Sequence, residues 1–215
     1  MKLGVISDIH GNDVALNSVL SDMPKVDKKI CCGDIVGYGP SPERCLDTIR
    51  DEFDIIVMGN HDRNVATKDL EDMNLMSEDY AKRVLSNKKL RWLRSLPDEY
   101  NSDIMKVVHS HPTRKGTYVE PRDFPRMKKY LNGEKILLMG HTHKVHSYKS
   151  DVLIANPGSV GQPRDGNVYS SYMIIETDPL EAEVRRVEYD INKVKQRIVN
   201  LGFPRDNYRR LFEGR

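Results

Sequence analysis

The chain contains five short, mainly apolar segments that are each followed by polar residues. These segments cover residues 3–7, 28–32, 54–58, 104–108 and 135–139. Apolar runs of this length that end at glycine or at polar residues predict strands buried on both faces of a parallel sheet. In open α/β sheets, ligands bind at the carboxyl ends of the strands, so the residues that follow these segments are the candidates for chemistry.

Helical patterns lie between these strands. Asn12 or Asp13 is expected to cap a helix that runs to about Met23, and Ser41 with Pro42 opens a second helix. Residues 63–96 have a mostly helical pattern, in which Ser77 is expected to cap a helix over 78–85. We expect this helical insertion to form one wall of a cleft.

The last third of the chain predicts hairpin strands and a basic tail. The strands are expected at 145–149, 152–155, 169–176 and 182–189, and a phase slip at Arg185 and Arg186 indicates a β-bulge or an exposed edge. The tail, about 190–215, carries a helical apolar stripe opposite basic residues. No repeat or low-complexity linker interrupts the sequence, so we predict a single domain over 1–215.

Composition narrows the class of protein. Charged residues make up 31% of the 215 residues, and the mean hydropathy is −0.60. No apolar stretch approaches the roughly 20 residues that span a bilayer, and no signal peptide is evident, so a cytoplasmic protein without a membrane partner is expected. A net charge of +2 does not favour nucleic acid as a partner. The three cysteines have no metal-type spacing and are expected to be buried and reduced.

The polar residues at the predicted strand ends share one chemistry. They are Asp8, His10, Asp34, Asn60, His61, Asp62, His109, His141 and His143. Carboxylate, amide and imidazole groups without thiolates are typical ligands of divalent transition metals. Taken singly, such residues also cap helices or form turns. Near the fourth segment His109 and His111 both qualify, because residues two apart point the same way on a strand, and His109 is preferred because it directly follows the apolar run.

The order of these groups resembles that of the calcineurin-like metallophosphoesterases, in particular their small prokaryotic phosphodiesterase branch. The similarity spans Met1 to about Asp190 and includes a flanking segment over 156–164. It is carried by five motifs, Asp8-x-His10, Gly33-Asp34, Gly59-Asn60-His61-Asp62, His109 and Gly140-His141-x-His143. The resemblance implies an α/β fold of two packed mixed β-sheets flanked by helices, an αββα sandwich.

The resemblance also implies a dinuclear metal site. One ion would be held by Asp8, His10, Asp34 and His143, and a second by Asp34, Asn60, His109 and His141, with Asp34 bridging. Manganese is the expected metal, and iron, zinc, nickel and cobalt fit the same ligands. A hydroxide that bridges the metals would attack the phosphorus. His61 would act as the general acid or contact the phosphate, and Asp62 would orient it.

The expected reaction is hydrolysis of small phosphodiesters. Related phosphatases carry arginines near the positions of Tyr38 and Met58, and without these the clamp for a doubly charged monoester is missing. Tyr38 and Asn12 are candidate substrate contacts. Arg63 or Arg164 would restore a clamp, so phosphomonoesters and dinucleoside polyphosphates stay as alternatives. A non-catalytic scaffold on the same fold is the alternative from another class, and assembly into a homo-oligomer is left open.

Overall fold

Two five-stranded sheets form the centre of the fold. The computed structural model describes residues 1–72 and 75–215, so residues 73 and 74 of the predicted insertion lie outside the described residues. The first sheet contains β1 (Lys2–Ile6), β2 (Lys28–Cys31), β3 (Ile55–Ile56), β9 (Ser170–Thr177) and β10 (Leu180–Val187). Its strand order is β10-β9-β1-β2-β3; β1, β2 and β3 are parallel, and β9 and β10 are antiparallel additions.

The second sheet is also mixed. It contains β4 (Glu99–Asn101), β5 (Met105–Val108), β6 (Ile136–Leu138), β7 (Val145–Lys149) and β8 (Leu153–Pro157). Its order is β4-β5-β6-β8-β7, with β5, β6 and β8 parallel and the two edge strands antiparallel. The five motif-bearing strands are therefore divided between two sheets, three in the first and two in the second.

The helices lie mostly against the first sheet. They are α1 (Asp13–Asp22), α2 (Pro42–Glu52), α3 (Asn60–Thr67), α4 (Met76–Val84), α5 (Asn87–Arg94), α6 (Phe124–Met127), α7 (Ile191–Asn200) and α8 (Arg205–Glu213). Single 3₁₀ turns occur at Leu70–Asp72, Pro121–Asp123 and Lys128–Tyr130. Within the described ranges, no helix has the length and apolar character needed to cross a membrane.

Successive side chains along a strand point to opposite faces of the sheet and so pack into different hydrophobic cores. In β1, Leu3 and Val5 pack into the core shared by the two sheets, whereas Ile6 packs into the core beneath the helices. Cys31 and Cys32 divide between these two cores in the same way, and burial raises the pKa of both thiols. A third core lies between the second sheet and α6. The observed order of layers is the αββα sandwich that the resemblance implies.

Several local predictions need correction. The segment 54–58 forms only a two-residue strand, β3, which pairs with β2 on one side and, among the described residues, with no strand on the other. Ser77 does not cap α4, which begins at Met76 after Leu75. The pairing of β10 with β9 runs without interruption from Leu180 to Val187, so of the two alternatives predicted at Arg185 and Arg186 the exposed edge is confirmed and the bulge is not.

Candidate metal centre

Turns with an unusual backbone bring the strand-end residues together. Outside glycine, the described residues with positive φ are Asp8, His10, Asp34, His141 and His143, with φ between 50° and 70°. All five belong to the predicted ligand set. A left-handed backbone costs a residue with a side chain about 1 to 2 kcal/mol, and such strain is concentrated at functional sites. The fold therefore tolerates backbone strain at the turns that bring these side chains together.

Glycine at the strand ends allows the loops to touch. A Cβ atom on Gly59 would lie 2.0 Å from Asp34 Oδ1 and 2.2 Å from the backbone nitrogen of Asp34. A Cβ atom on Gly140 would lie 2.0 Å from Ser7 Oγ. These contacts explain why glycine precedes Asn60 and His141, since any larger residue would separate the loops that carry the predicted ligands.

One group of candidate ligands contains Asp8, His10 and His143, all almost fully buried. The Nε2 atoms of His10 and His143 are 3.0 Å apart, and His143 Nε2 lies 3.2 Å from Asp8 Oδ1. Asp8 Oδ1 is buried and has no hydrogen-bond partner among the described residues. Asp8 Oδ2 accepts a hydrogen bond from the backbone of His141 at 2.9 Å, which fixes the carboxylate.

A second group contains Asp34, His109 and His141. Asp34 Oδ2 is 3.2 Å from His109 Nε2 and 3.8 Å from His10 Nε2, so this carboxylate lies between the two groups. Asp34 Oδ1 accepts a hydrogen bond from the backbone of His61 at 2.8 Å. Asn60 Oδ1 is 3.1 Å from His109 Nε2, which brings the amide to the same point.

Backbone carbonyls fix the orientation of the histidine rings. The Nδ1 atoms of His10, His109 and His143 face the carbonyl oxygens of Val36, Cys32 and Gln162, at 3.2, 2.8 and 2.6 Å. A carbonyl only accepts, so each Nδ1 donates and the neutral ring presents the lone pair of Nε2 to the site. His141 has the opposite arrangement, because its Nε2 faces the carbonyl of Gly116 at 3.0 Å.

This set of donor atoms fits divalent metal ions. Two nitrogens bound to one ion at about 2.1 Å, at angles between a right angle and the tetrahedral value, lie about 3.0 to 3.4 Å apart. The distance between His10 and His143 falls in this range. Two lone pairs that face each other, together with a buried carboxylate oxygen that accepts no hydrogen bond, require a positive charge between them.

The pKa shifts in the second group also indicate a preference for positive charge at this site. Burial alone would lower the pKa of His109, but the carboxylates of Asp34 and Asp8 raise it to about 10. Burial opposes ionisation of Asp34 as well, yet the neighbouring imidazoles of His109 and His61 hold its pKa below the usual value. The buried carboxylates therefore stabilise positive charge at this place, as a proton or as a metal ion.

The ring of His61 is held by an acid that the sequence analysis missed. His61 Nδ1 lies 2.6 Å from Glu78 Oε1, and Glu78, on α4, is buried. Asn64 Nδ2 donates to the same oxygen at 3.1 Å. A ring nitrogen of His61 also lies within 4.8 Å of the ligand atoms of His10 and Asp34. His61 therefore lies at the centre while its Nδ1 is fixed by Glu78.

The hydrogen bonds of the Asp62 carboxylate go to the backbone, and its role in orienting the His61 ring stays a prediction. The Asp62 carboxylate accepts hydrogen bonds from the backbone nitrogens of Ile35, Val36 and Gly59, at 2.9, 3.1 and 3.0 Å. Burial and the charge of Asp34 raise the pKa of Asp62 to about 6, although these donors oppose the shift. Asp62 fastens the loop after β2 to the start of α3, so its role is to hold two ligand-bearing segments together.

The two candidate substrate contacts differ in their surroundings. Asn12 is buried, and its amide donates to Gly161 O at 3.1 Å while its oxygen accepts from the Ala15 nitrogen at 3.1 Å. Both polar atoms therefore form structural hydrogen bonds, and the role of Asn12 as a substrate contact stays a prediction. The Tyr38 ring lies 4.8 Å from the rings of both His10 and His61, with Arg164 above it at 5.6 Å.

A cleft of about 360 Å³ opens beside the second group. Asn60, His109 and His111 line it, together with Arg63 and other residues. Arg63 and Lys115 both form ion pairs with Asp98 at this cleft. His111 is held by its own loop, because its Nδ1 accepts from the backbone of Thr113 and of Arg114. The structure thus places His109 in the ligand cluster and His111 in the wall of the cleft.

Comparisons with known proteins agree with this geometry. The calcineurin-like phosphoesterase superfamily domain matches residues 1–179. An uncharacterized protein from Methanocaldococcus jannaschii is 37% identical over an aligned length of 238 residues, gaps included. The alignment covers 99% of this chain and 98% of that protein. The crystal structure of a metallophosphoesterase from Sphaerobacter thermophilus is similar with a TM-score of 0.90 and 31% identity, covering 100% of this chain and 99% of that one.

A more distant structure shares the whole fold. The crystal structure of a hypothetical protein from Pyrococcus horikoshii is similar with a TM-score of 0.88 and 18% identity. The match covers 100% of this chain and 98% of that one. Because the superfamily domain matches most of the sequence and a relative is more than 30% identical along its full length, the chain belongs to the calcineurin-like phosphoesterase superfamily.

Proposed function

We propose that the chain is a dinuclear metal-dependent phosphodiesterase. The observation that carries the proposal is the position of Asp34, whose Oδ2 lies 3.2 Å from His109 Nε2 and 3.8 Å from His10 Nε2. A carboxylate has enough lone pairs to serve two ions at once, whereas an imidazole nitrogen has one. We propose Asp8, His10, Asp34 and His143 as ligands of one ion, and Asp34, Asn60, His109 and His141 as ligands of the other.

Bound divalent ions, for which manganese is our first candidate, polarise a phosphoryl group and lower the pKa of water. The chain's own residues supply position and protons. Asp62 holds the loop after β2 against α3, which fixes Asp34 relative to Asn60. Glu78 holds His61 Nδ1, so that Nε2 is the ring atom available to hydrogen-bond a substrate oxygen or to protonate a leaving group.

The surroundings favour a diester over a monoester. Arg63 is engaged by Asp98, and Arg164 donates to Gln162 Oε1 at 2.9 Å and lies over Tyr38. Both guanidiniums already have partners, which disfavours the bidentate contact that suits a phosphate carrying two negative charges. A phosphodiester has one negative charge and needs less neutralisation. We propose Tyr38 as a contact for its ester group.

The test combines metal content with hydrolysis of two esters. We expect the protein purified with Mn²⁺ to bind two ions per chain and to hydrolyse bis-p-nitrophenyl phosphate faster than p-nitrophenyl phosphate. His61→Ala is expected to retain the metal and to lose about 10²- to 10⁴-fold in kcat. Asp34→Asn should lose both metal and turnover. A protein that binds two ions and cleaves neither ester would instead support the scaffold alternative, and faster monoester hydrolysis would support a phosphatase.

A further inference from the structure

A second cavity also borders the loop that follows β5 and shares His111 with the cleft described above. Its volume is about 230 Å³. Its walls come from the loop after β5 and from the segment that contains α6, and they include Arg114, Arg126, Lys129, Asp123, Tyr118 and His111. We call this cavity the basic pocket. None of its residues belongs to the ligand set proposed above.

The basic pocket has an excess of positive charge. Three of its side chains are cationic and one is a carboxylate, Asp123, which lies 3.8 Å from Arg126. Across the described part of the chain, neither Arg114 nor Lys129 forms an ion pair; Lys129 instead lies over the Tyr130 ring at 5.0 Å. Cations that no internal carboxylate neutralises, gathered around a cavity, favour an anionic ligand.

The same wall contains His111, a buried residue with one ring nitrogen that is unpaired within the described ranges. Its Nδ1 accepts hydrogen bonds from the backbone nitrogens of Thr113 and Arg114, both at 3.2 Å, so Nε2 carries the proton of the neutral ring. Among the described residues, Nε2 has no hydrogen-bond partner, and the side chain is buried. Buried donors are normally paired, which makes this one unusual.

Tyr118 connects the basic pocket to the candidate metal centre. Its ring stacks on His141 with centroids 4.4 Å apart and an interplanar angle of 19°, and the residue is 52% exposed. His141 is in turn 5.1 Å from the ring of His109. A ligand in the pocket would therefore lie one aromatic ring away from a proposed metal ligand, within reach of a substrate that extends beyond its reacting phosphate.

We propose that the basic pocket binds a second phosphoryl group of the substrate. The preferred substrates would then be nucleotide-like diesters that carry a further phosphate, with Arg114 and Lys129 as the residues that select them. Guanidinium and ammonium groups donate charge-assisted hydrogen bonds to phosphate oxygens, which are stronger than neutral ones. The catalytic part of this proposal rests on the phosphodiesterase function proposed above, whereas the binding part does not.

The test uses two substrates that differ by one phosphate. They are the p-nitrophenyl ester of thymidine 5′-phosphate and the same ester with an additional 3′-phosphate. We expect the double variant Arg114→Met with Lys129→Met to raise KM for the 3′-phosphorylated substrate about tenfold, which corresponds to the loss of one charge-assisted contact. The KM for the other substrate should stay within about twofold of the wild-type value.

The chain offers a matched control. Arg122→Met with Lys128→Met removes two cations from the same segment, and neither residue lines the pocket. Lys128 is paired with Asp151 at 2.6 Å, and Arg122 lies 4.0 Å from Asp123. The control should leave both KM values unchanged. Equal KM increases for both substrates, or for both double variants, would overturn the proposal, because they would reflect the overall charge of the protein.

A binding measurement separates this proposal from the proposed function. Calorimetry with the metal-loaded protein would compare thymidine 3′,5′-bisphosphate with thymidine 5′-monophosphate. We expect the bisphosphate to bind more tightly to the wild type, and the Arg114 and Lys129 double variant to abolish that preference. If the wild type hydrolyses neither ester but shows this preference, only the phosphodiesterase proposal fails. If it hydrolyses the diesters and shows no preference, only the pocket proposal fails.

Discussion

Glu78 completes the surroundings of His61 from outside the five motifs. Its carboxylate is buried and lies 2.6 Å from His61 Nδ1, whereas the motif residue Asp62 is bound to three backbone nitrogens. A hydrogen bond from one ring nitrogen to a carboxylate fixes the direction of the other and stabilises the ring when it is protonated. If His61 acts as proposed, Glu78 is a positioning residue, which acts on the substrate only through His61.

Glu78→Gln should lower kcat by about 10- to 100-fold and leave KM unchanged, because the substitution removes the charge that orients His61 but no substrate contact. The decrease should be larger for a diester with an alkyl leaving group than for bis-p-nitrophenyl phosphate, since an alkoxide needs a proton more than a nitrophenolate does. Steady-state kinetics on both substrates would measure this.

Asp79→Asn provides the control for this prediction. Asp79 is the next residue on α4, and it pairs with Arg83 at 2.9 Å. This variant should retain wild-type kinetics. An equal loss of kcat for both leaving groups in Glu78→Gln would indicate a general disturbance of the fold, and the positioning role would then be wrong.

At the residue level, the sequence predicts the site residues at strand ends better than those that helices contribute. Apolar runs that end in Asp, Asn or His mark nine residues, and the structure brings all of them to one place. Glu78 lies in a segment with helical periodicity, where an acid near the start of a helix normally faces solvent. Its one distinguishing property is burial, which depends on how α4 packs against α3.

At the scale of elements, the C-terminal helices are attached to the first half of the chain by a buried acid. Asp13, at the start of α1, has a side chain that is 7% exposed. Arg197 on α7 donates to Asp13 Oδ1 at 2.6 Å and to Ser41 Oγ at 3.3 Å. On α8, Asn207 donates to the carbonyl of Tyr38 at 2.9 Å. The basic tail is thus part of the packing around Tyr38.

Arg197→Met should lower the free energy of unfolding by about 1 to 2 kcal/mol, because it removes a charge-assisted hydrogen bond from a buried carboxylate. Arg44, 3.3 Å from the same carboxylate, limits the loss. The midpoint of urea unfolding would measure the change. Arg209→Met is the control: Arg209 pairs on the surface of α8 with Asp206, and its removal should cost at most about 0.5 kcal/mol. Equal effects of the two substitutions would show that Asp13 does not anchor α7.

Periodicity predicts the type of each element well and its pairing partners poorly. The helix capped by Asn12 and the hairpin strand over 145–149 agree with α1 and β7. The segment 54–58 is apolar enough for a central strand, but the position of β3 at the sheet edge depends on β2, which lies far away in sequence. Such pairings depend on residues distant along the chain, so a local sequence pattern does not predict them.

On the scale of the whole molecule, the proposed ligands lie where the two sheets meet. Asp8 and Asp34 follow strands of the first sheet, and His109 and His141 follow strands of the second. The two sets are also joined directly, because the backbone of His141 donates to Asp8 Oδ2 at 2.9 Å and His109 lies 3.2 Å from Asp34. An ion bound by residues of both sheets would cross-link the halves of the sandwich, which only the folded chain can achieve.

Metal binding should therefore stabilise the whole fold. At a Mn²⁺ concentration about 100 times the dissociation constant, binding to the folded state alone adds about 2.7 kcal/mol. We expect Mn²⁺ to raise the midpoint of thermal unfolding, and a chelator to reverse the change. His61→Ala should retain this shift, because its ring is not among the proposed ligands, and Asp34→Asn should lose most of it. A shift in Asp34→Asn as large as in the wild type would mean that the ions bind elsewhere, and that the two sheets are held together by their apolar core without help from a shared carboxylate.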